Sequence, residues 1–98
     1  MSRMCDAFKC GATVASGRFL CSRHWRMVPL DTQRTINARY RACRKDFAFL
    51  SDVAYLQACV DAIQGIAKAE SYFIAPGAGD LSTYDRLLRV ALRKAAAK

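Results

Sequence analysis

Long apolar runs are absent from this chain of 98 residues. No stretch approaches the roughly 18 consecutive apolar residues of a transmembrane helix. The first residues, MSRMCD, also lack the apolar centre of a secretory signal peptide. We therefore expect no membrane span and a cytoplasmic location. The length fits a single domain, and 53% hydrophobic with 24% charged residues is typical of a globular protein rather than a disordered one.

Histidine is nearly absent, and the number of cysteines is odd. His24 is the only histidine, and the five cysteines cannot all pair in disulfides within one chain. In a cytoplasmic protein, closely spaced Cys and His residues are more typical of metal binding than of disulfides. Four of these residues follow the spacing C-x4-C-x10-C-x2-H, and they are Cys5, Cys10, Cys21 and His24.

This spacing predicts a structural zinc site. Zn²⁺ takes four ligands in a tetrahedron, and three cysteines with one histidine form one of its common structural sets. Cys21 and His24 are three residues apart, so one turn of a short helix would point both side chains the same way. Two alternatives stay open. The thiols could be ordinary buried side chains, or the zinc could be catalytic and keep an open coordination position.

Groups for catalysis are scarce outside the predicted zinc set. The chain has no second histidine, no paired-carboxylate motif and no glycine-rich phosphate loop. A Ser/His/Asp arrangement would have to take His24 away from the metal. We therefore expect that the protein is not an enzyme and that its cofactor is structural zinc.

Acidic residues are few as well. There are 8 of them against 16 lysines and arginines, which gives a formal net charge of +8, and most of the cations are arginine. The planar guanidinium of arginine suits phosphates and carboxylates. The charge therefore favours an acidic partner, which would be nucleic acid, a host ribonucleoprotein or an acidic protein surface, rather than a membrane.

Turn residues and apolar patterns predict a mostly α-helical fold that begins with a zinc knuckle. Within residues 1–28, the pair Ser16 and Gly17 resembles a turn between two short strands at 13–15 and 18–20. Strands this short are not stable alone, so the metal would have to stabilise them. The predicted hairpin and zinc module pack on about three helices.

Helical periodicity follows the zinc module. Ser51 is a candidate N-cap for the second long helix. Cys43 and Cys59 fall on apolar stripes, so we expect them in the helical core rather than at the metal, although a disulfide between the two helices is geometrically conceivable. The predicted single domain thus contains a zinc module at 1–28, a helical core at 29–71 with helices at 29–45 and 51–71, a linker at 72–81 and a basic C-terminal helix at 82–98.

Two of the predicted helices carry a cationic face. Basic residues recur at i, i+7 and i+11 in the first helix and at i, i+3 and i+7 in the last. Such faces are often simply solvated, and the alternative is a surface that contacts phosphates. The residues that we predict to bind a partner are Arg34, Arg41 and Lys45 in the first helix and Arg86, Arg89 and Arg93 in the last.

The segment CSRHWRMVP at 21–29, with ARYR at 38–41 and YLQACVDAI at 55–63, resembles a group of small proteins that bacteriophages and prophages encode. These proteins share a C-x2-H-W-x-x-V-P segment, upstream cysteines, a Y-R pair and a Y-L-x-A helix. The resemblance covers roughly residues 5–67 and leaves out the arginine-rich last helix. It implies zinc ligation by Cys5, Cys10, Cys21 and His24 and a location in a host cell, and it carries no settled biochemical activity.

Together these observations predict a non-enzymatic, phage-type accessory protein with a structural zinc site. It would bind nucleic acid, or a complex that contains nucleic acid, through its cationic surface. The alternative is an inhibitor or adaptor that binds a host or defence complex, in the manner of anti-CRISPR proteins. Affinity that falls steeply with salt would indicate direct binding to nucleic acid.

Overall fold

The computed structural model of the protein describes residues 2–15, 19–43, 45, 48, 51–72 and 83–96. These residues form a mostly α-helical fold with a small N-terminal β element, which confirms the predicted fold class. None of the helices in the described ranges has the length and apolar character needed to cross a membrane. The elements are β1 (Ser2–Met4), β2 (Thr13–Ala15), α1 (Ser22–Trp25), α2 (Leu30–Cys43), α3 (Val53–Ala69) and α4 (Thr83–Ala96).

The β element is a two-stranded antiparallel sheet in which Ser2 lies opposite Ala15 and Met4 lies opposite Thr13. The strand predicted at 13–15 is therefore confirmed, but its partner is β1, not a strand at 18–20. Phe19 and Leu20 form a bend, and residues 16–18 lie outside the described part of the chain. The N–H of Cys5 continues the pairing by donating to the carbonyl of Ala12 at 2.8 Å. The sheet thereby closes the loop that contains the first two predicted ligands.

A side chain of α2 binds the carbonyl of the last residue of α1 and a carbonyl in the segment between the two helices. Nε2 of Gln33 donates to the carbonyl oxygens of Trp25 and Val28, at 2.9 and 3.1 Å. Carbonyls at the end of a helix have no partner within that helix, so this contact stabilises the junction. Helix α2 starts directly after Pro29, close to the predicted start of the first long helix.

Helix α3 is the centre of the core, and nine of its residues are buried. Helices α2 and α4 both pack on it. Cys59 is completely buried there, and burial raises the pKa of its thiol to about 12. All five cysteines are free thiols, so Cys43 and Cys59 form no disulfide. The buried residues of α3 are Tyr55, Leu56, Ala58, Cys59, Val60, Ala62, Ile63, Ile66 and Ala67.

The N-cap of α3 is Asp52 rather than the predicted Ser51. Oδ2 of Asp52 accepts a hydrogen bond from the backbone N–H of Tyr55 at 2.8 Å. The same carboxylate accepts two hydrogen bonds from Arg39 on α2, at 2.8 and 3.1 Å. The carboxylate can cap the helix and join it to α2 at once, which a serine hydroxyl at this position could not do.

Replacing Asp52 by alanine is expected to lower the free energy of unfolding by about 1–2 kcal/mol, because the cap and the contact with Arg39 are both lost. The Arg39 guanidinium lowers the pKa of the Asp52 carboxyl below its usual value. This stabilisation is therefore complete above about pH 4 and is lost as the pH falls through the lower pKa of the folded state. Urea denaturation of the wild type and of Asp52→Ala at pH 7 and pH 3 measures both effects. The control is Asp61→Ala, because Asp61 is an exposed carboxylate of the same helix that accepts a hydrogen bond from Gln57. An equal loss of stability in both variants would contradict the assignment of Asp52 as the N-cap.

Helix α4 is anchored to the N-terminal module through Tyr84. The Tyr84 hydroxyl donates to Oδ2 of Asp6 at 3.3 Å, and the Tyr84 ring packs edge-on against Phe19 with centroids 5.0 Å apart. Leu88 and Ala91 continue the buried face of this helix. Leu92 lies outside this buried face and is 46% exposed. The linker predicted at 72–81 lies outside the described residues except for Tyr72.

Candidate metal centre

The four predicted ligands lie together although they come from three separate segments. Cys5 follows β1, Cys10 ends the next turn, and Cys21 and His24 belong to the start of α1. Their ligand atoms all lie within 4.8 Å of one another, which would allow them to hold a metal ion. Nδ1 of His24 is 3.2 Å from Sγ of Cys21 and 3.7 Å from Sγ of Cys5.

A tight turn brings Cys10 back toward Cys5. The N–H of Cys10 donates to the carbonyl of Ala7 at 3.1 Å, and Lys9 has a φ of 60° within this turn. A left-handed residue reverses the chain sharply, so both thiols lie on one side of the loop. The Lys9 ammonium lies 5.5 Å from the ring centroids of Phe8 and Tyr72, which places a cation over two aromatic rings.

The N-terminus of α1 presents the other two ligands. Cys21 is the N-cap residue in extended conformation, and His24 lies one turn later. The backbone N–H of Cys21 donates to Sγ of Cys5 at 3.2 Å, which favours negative charge on that sulfur. His24 is only 1% exposed and Cys5 only 5%, whereas Cys10 and Cys21 are half-buried. The inner half of the site is therefore shielded from water.

The thiols at this site differ in acidity. Burial raises the pKa of the Cys5 thiol to about 11. Burial acts in the same direction on Cys21, but a hydrogen bond from the backbone N–H of His24 and the contacts with the His24 imidazole and with Cys5 outweigh it and bring the pKa of Cys21 to about 7. Cys21 is thus the thiol that ionises more readily, and a thiolate is the form that binds metal.

The far side of the imidazole contacts two charged residues that the sequence analysis did not include. Oε1 of Glu70 lies 2.8 Å from Nε2 of His24, and Oε2 of Glu70 accepts from Nη1 of Arg23 at 3.0 Å. Glu70 is the C-cap residue of α3, 46 residues from His24. No local spacing relates the two residues. The one hint in the sequence is an acidic residue at a helix C-terminus, where the helix dipole disfavours a carboxylate.

Cys43 and Cys59 lie on the helices that follow and do not belong to the cluster, which contains Cys5, Cys10, Cys21 and His24. Nη2 of Arg39 donates to Sγ of the half-buried Cys43 at 3.5 Å. Among the described residues, the cluster around His24 is the one group of three or more Cys, His, Asp or Glu side chains that could hold a metal.

We expect Cys43→Ala and Cys59→Val to keep the full metal content. Cys43 is half-buried, and Cys59 packs among apolar side chains without a metal-ligating neighbour on its stripe. Each replacement should cost roughly 1 kcal/mol of stability through packing. Metal analysis together with thermal denaturation checks this, and a fall in metal per chain in either variant would show that the ligand set is wrong.

The six basic residues predicted to bind a partner are all exposed, and they lie on or directly after two different helices. Helix α4 buries Tyr84, Leu88 and Ala91 and leaves its basic residues at the surface. Arg39 of α2 is less exposed and pairs with Asp52. The exposed basic residues are Arg34 and Arg41 of α2, Lys45 just beyond it, and Arg86, Arg89 and Arg93 of α4.

Comparison of the chain with protein-family models, with curated proteins and with solved structures finds no match. The resemblance to small phage-encoded proteins, carried by the segment at 21–29, thus stays a prediction. The Cys3His cluster itself rests on the geometry of this chain alone.

Proposed function

We propose that the cluster holds one structural Zn²⁺. Tetrahedral bonds of about 2.3 Å to sulfur and about 2.0 Å to nitrogen separate neighbouring ligand atoms by roughly 3.5–3.8 Å. The distances of 3.2 and 3.7 Å between Nδ1 of His24 and two of the sulfurs fit that tetrahedron after a small adjustment. Three thiols and one imidazole are the soft and borderline donors that Zn²⁺ prefers.

The site suits a structural metal better than a catalytic one. Four protein ligands complete the tetrahedron, so no coordination position is left for water or a substrate. The metal would instead tie together the chain around Cys5 and Cys10 and the start of α1. The two strands beside it have only three residues each, so most of the stability of this module would come from the metal.

The function of the whole protein, in our proposal, is non-enzymatic binding of nucleic acid. The observation that supports it is the basic face of α4, where Arg86, Arg89 and Arg93 are exposed on a helix whose opposite face is buried in the core. A helix fixed in this way presents its guanidinium groups at defined spacing, which suits a row of phosphates. The net charge of +8 would draw a polyanion to the surface.

Fluorescence anisotropy with labelled single-stranded and double-stranded oligonucleotides tests this proposal on the wild-type protein. Binding should weaken linearly on a plot of log affinity against log salt, with a slope of about −0.7 to −0.9 for each phosphate contacted. A weakly basic protein of the same size is the control for non-specific attraction. No binding at low salt would overturn the proposal and favour a protein partner, such as the host or defence complex that the sequence also suggests.

A further inference from the structure

We propose that Glu70 is a positioning residue of the metal centre, which fixes the tautomer of His24 so that Nδ1 is the metal ligand. This inference rests on the proposed metal site. It assigns a role to a residue of the helical core that lies far from the ligands in the sequence. The geometry that supports it is a short contact on each side of one buried imidazole.

The two imidazole nitrogens face different chemical groups. Nδ1 faces the sulfurs of Cys21 and Cys5, at 3.2 and 3.7 Å. Nε2 lies 2.8 Å from Oε1 of Glu70. A carboxylate can only accept a hydrogen bond, so Nε2 must carry the proton of the neutral ring, and Nδ1 keeps its lone pair for a metal.

The opposite tautomer does not fit these contacts. A proton on Nδ1 would leave the lone pair of Nε2 facing the Glu70 oxygen at 2.8 Å with no hydrogen between them. Nη2 of Arg23 lies 3.1 Å from Nε2 and could donate to such a lone pair. That arrangement requires a proton on Nδ1, which a zinc ion bound to Nδ1 would exclude, and Nη1 of the same guanidinium donates to Oε2 of Glu70 at 3.0 Å.

The contact between His24 and Glu70 is important because it is largely buried. The His24 side chain is 1% exposed, and that of Glu70 is 21% exposed. Removing the acceptor would leave an almost completely buried N–H without a hydrogen-bond partner. A buried donor without a partner is unfavourable, because it has lost its hydrogen bonds to water. In metal sites, loss of the carboxylate behind a histidine ligand typically lowers metal affinity 10-fold to 100-fold.

Glu70 also links the metal centre to the helical core. Its backbone N–H donates to the carbonyl of the buried Ile66 at 2.9 Å, at the end of α3. The acceptor is therefore held by the most buried helix of the protein. Since α3 depends on packing with α2 and α4, the core holds His24 in the orientation that binds metal.

Metal affinity of three variants tests this role. Glu70→Ala removes the acceptor, and Glu70→Gln keeps a carbonyl oxygen of similar reach without the charge. Asp61→Ala, at an exposed carboxylate of the same helix that contacts Gln57, is the matched control. Competition for Zn²⁺ against a chromophoric chelator at pH 7 should show a loss of about 10-fold to 100-fold for Glu70→Ala, a smaller loss for Glu70→Gln and no change for the control.

The second measurement is the protonation state of the ring itself. Because His24 is the only histidine, a long-range ¹H–¹⁵N spectrum of the labelled zinc protein contains one imidazole. We expect a metal-bound Nδ1 and a protonated Nε2, with faster exchange of the Nε2 proton in Glu70→Ala than in Glu70→Gln. Far-ultraviolet circular dichroism should show equal helix content in all three variants.

The outcomes separate this inference from the metal site itself. A metal bound through Nε2, or equal zinc affinity in the wild type and both Glu70 variants, would overturn the role of Glu70 while leaving the zinc site intact. A wild-type protein that does not bind zinc would overturn both. Loss of affinity in Glu70→Ala together with partial rescue by Glu70→Gln would support the role, since a purely structural contact would not change the exchange of the ring proton.

Discussion

His24→Ala is expected to abolish zinc binding and to leave residues 2–28 without a fixed structure. The imidazole is one of the four proposed ligands, and its Nδ1 lies 3.2 Å from Sγ of Cys21 and 3.7 Å from Sγ of Cys5. In zinc-finger peptides, a structural zinc contributes about 10–16 kcal/mol of apparent folding energy, which is as large as the whole stability of a typical domain. The strands β1 and β2 have only three residues each, which is too short for a sheet that is stable alone.

Unlike the N-terminal module, the three long helices are expected to stay folded in His24→Ala. Helix α3 buries nine residues and packs with α2 and α4, so we expect the variant to keep most of its helix content. Elemental analysis and a ¹H–¹⁵N correlation spectrum measure the two parts separately. Cys43→Ala, which removes a thiol outside the cluster, is the control. Dispersed amide signals from residues 2–28 in metal-free His24→Ala would contradict the structural role of the metal.

Reversing the charge of Arg86, Arg89 and Arg93 to glutamate is expected to abolish nucleic-acid binding at physiological salt. The three residues are exposed on α4, so the change should leave the core and the metal site in place. Each lost phosphate contact should reduce the salt dependence by about one unit of slope, which gives about three units for the triple variant. Repulsion by the introduced carboxylates adds to the loss.

The matched control is the same charge reversal at Arg34, Arg41 and Lys45. We predict that it weakens binding less. All three residues are exposed, so the two triple variants are compared at equal charge and similar exposure. Anisotropy titrations at three salt concentrations measure both. Full binding by the α4 variant would refute its basic face as the contact surface, and equal losses would indicate attraction by net charge alone.

The sequence predicted the parts of the structure that depend on local patterns. The helical periodicity of apolar residues places α2, α3 and α4 within about two residues of their ends, because one face of each must be buried. The spacing of Cys21 and His24 likewise places both side chains on one turn. The sequence also predicted the ligand cluster, because cysteine and histidine at this spacing are typical of a metal site.

The parts that the sequence did not predict depend on contacts between distant residues. The partner of β2 is β1, whose three residues show no alternating pattern that would have predicted a strand. Asp52 replaces Ser51 as the N-cap because Arg39 of another helix holds its carboxylate. Glu70 reaches His24 only once α3 has packed, so no spacing within the sequence could show that contact.

The most direct test of the central claim is a native mass spectrum of the wild-type protein, purified without chelator. We predict one zinc ion per chain, held by Cys5, Cys10, Cys21 and His24, and loss of that ion together with the folded N-terminal module when a strong chelator is added. A spectrum of metal-free protein whose residues 2–28 remain folded would contradict the account, because the cluster would then be a set of ordinary buried thiols.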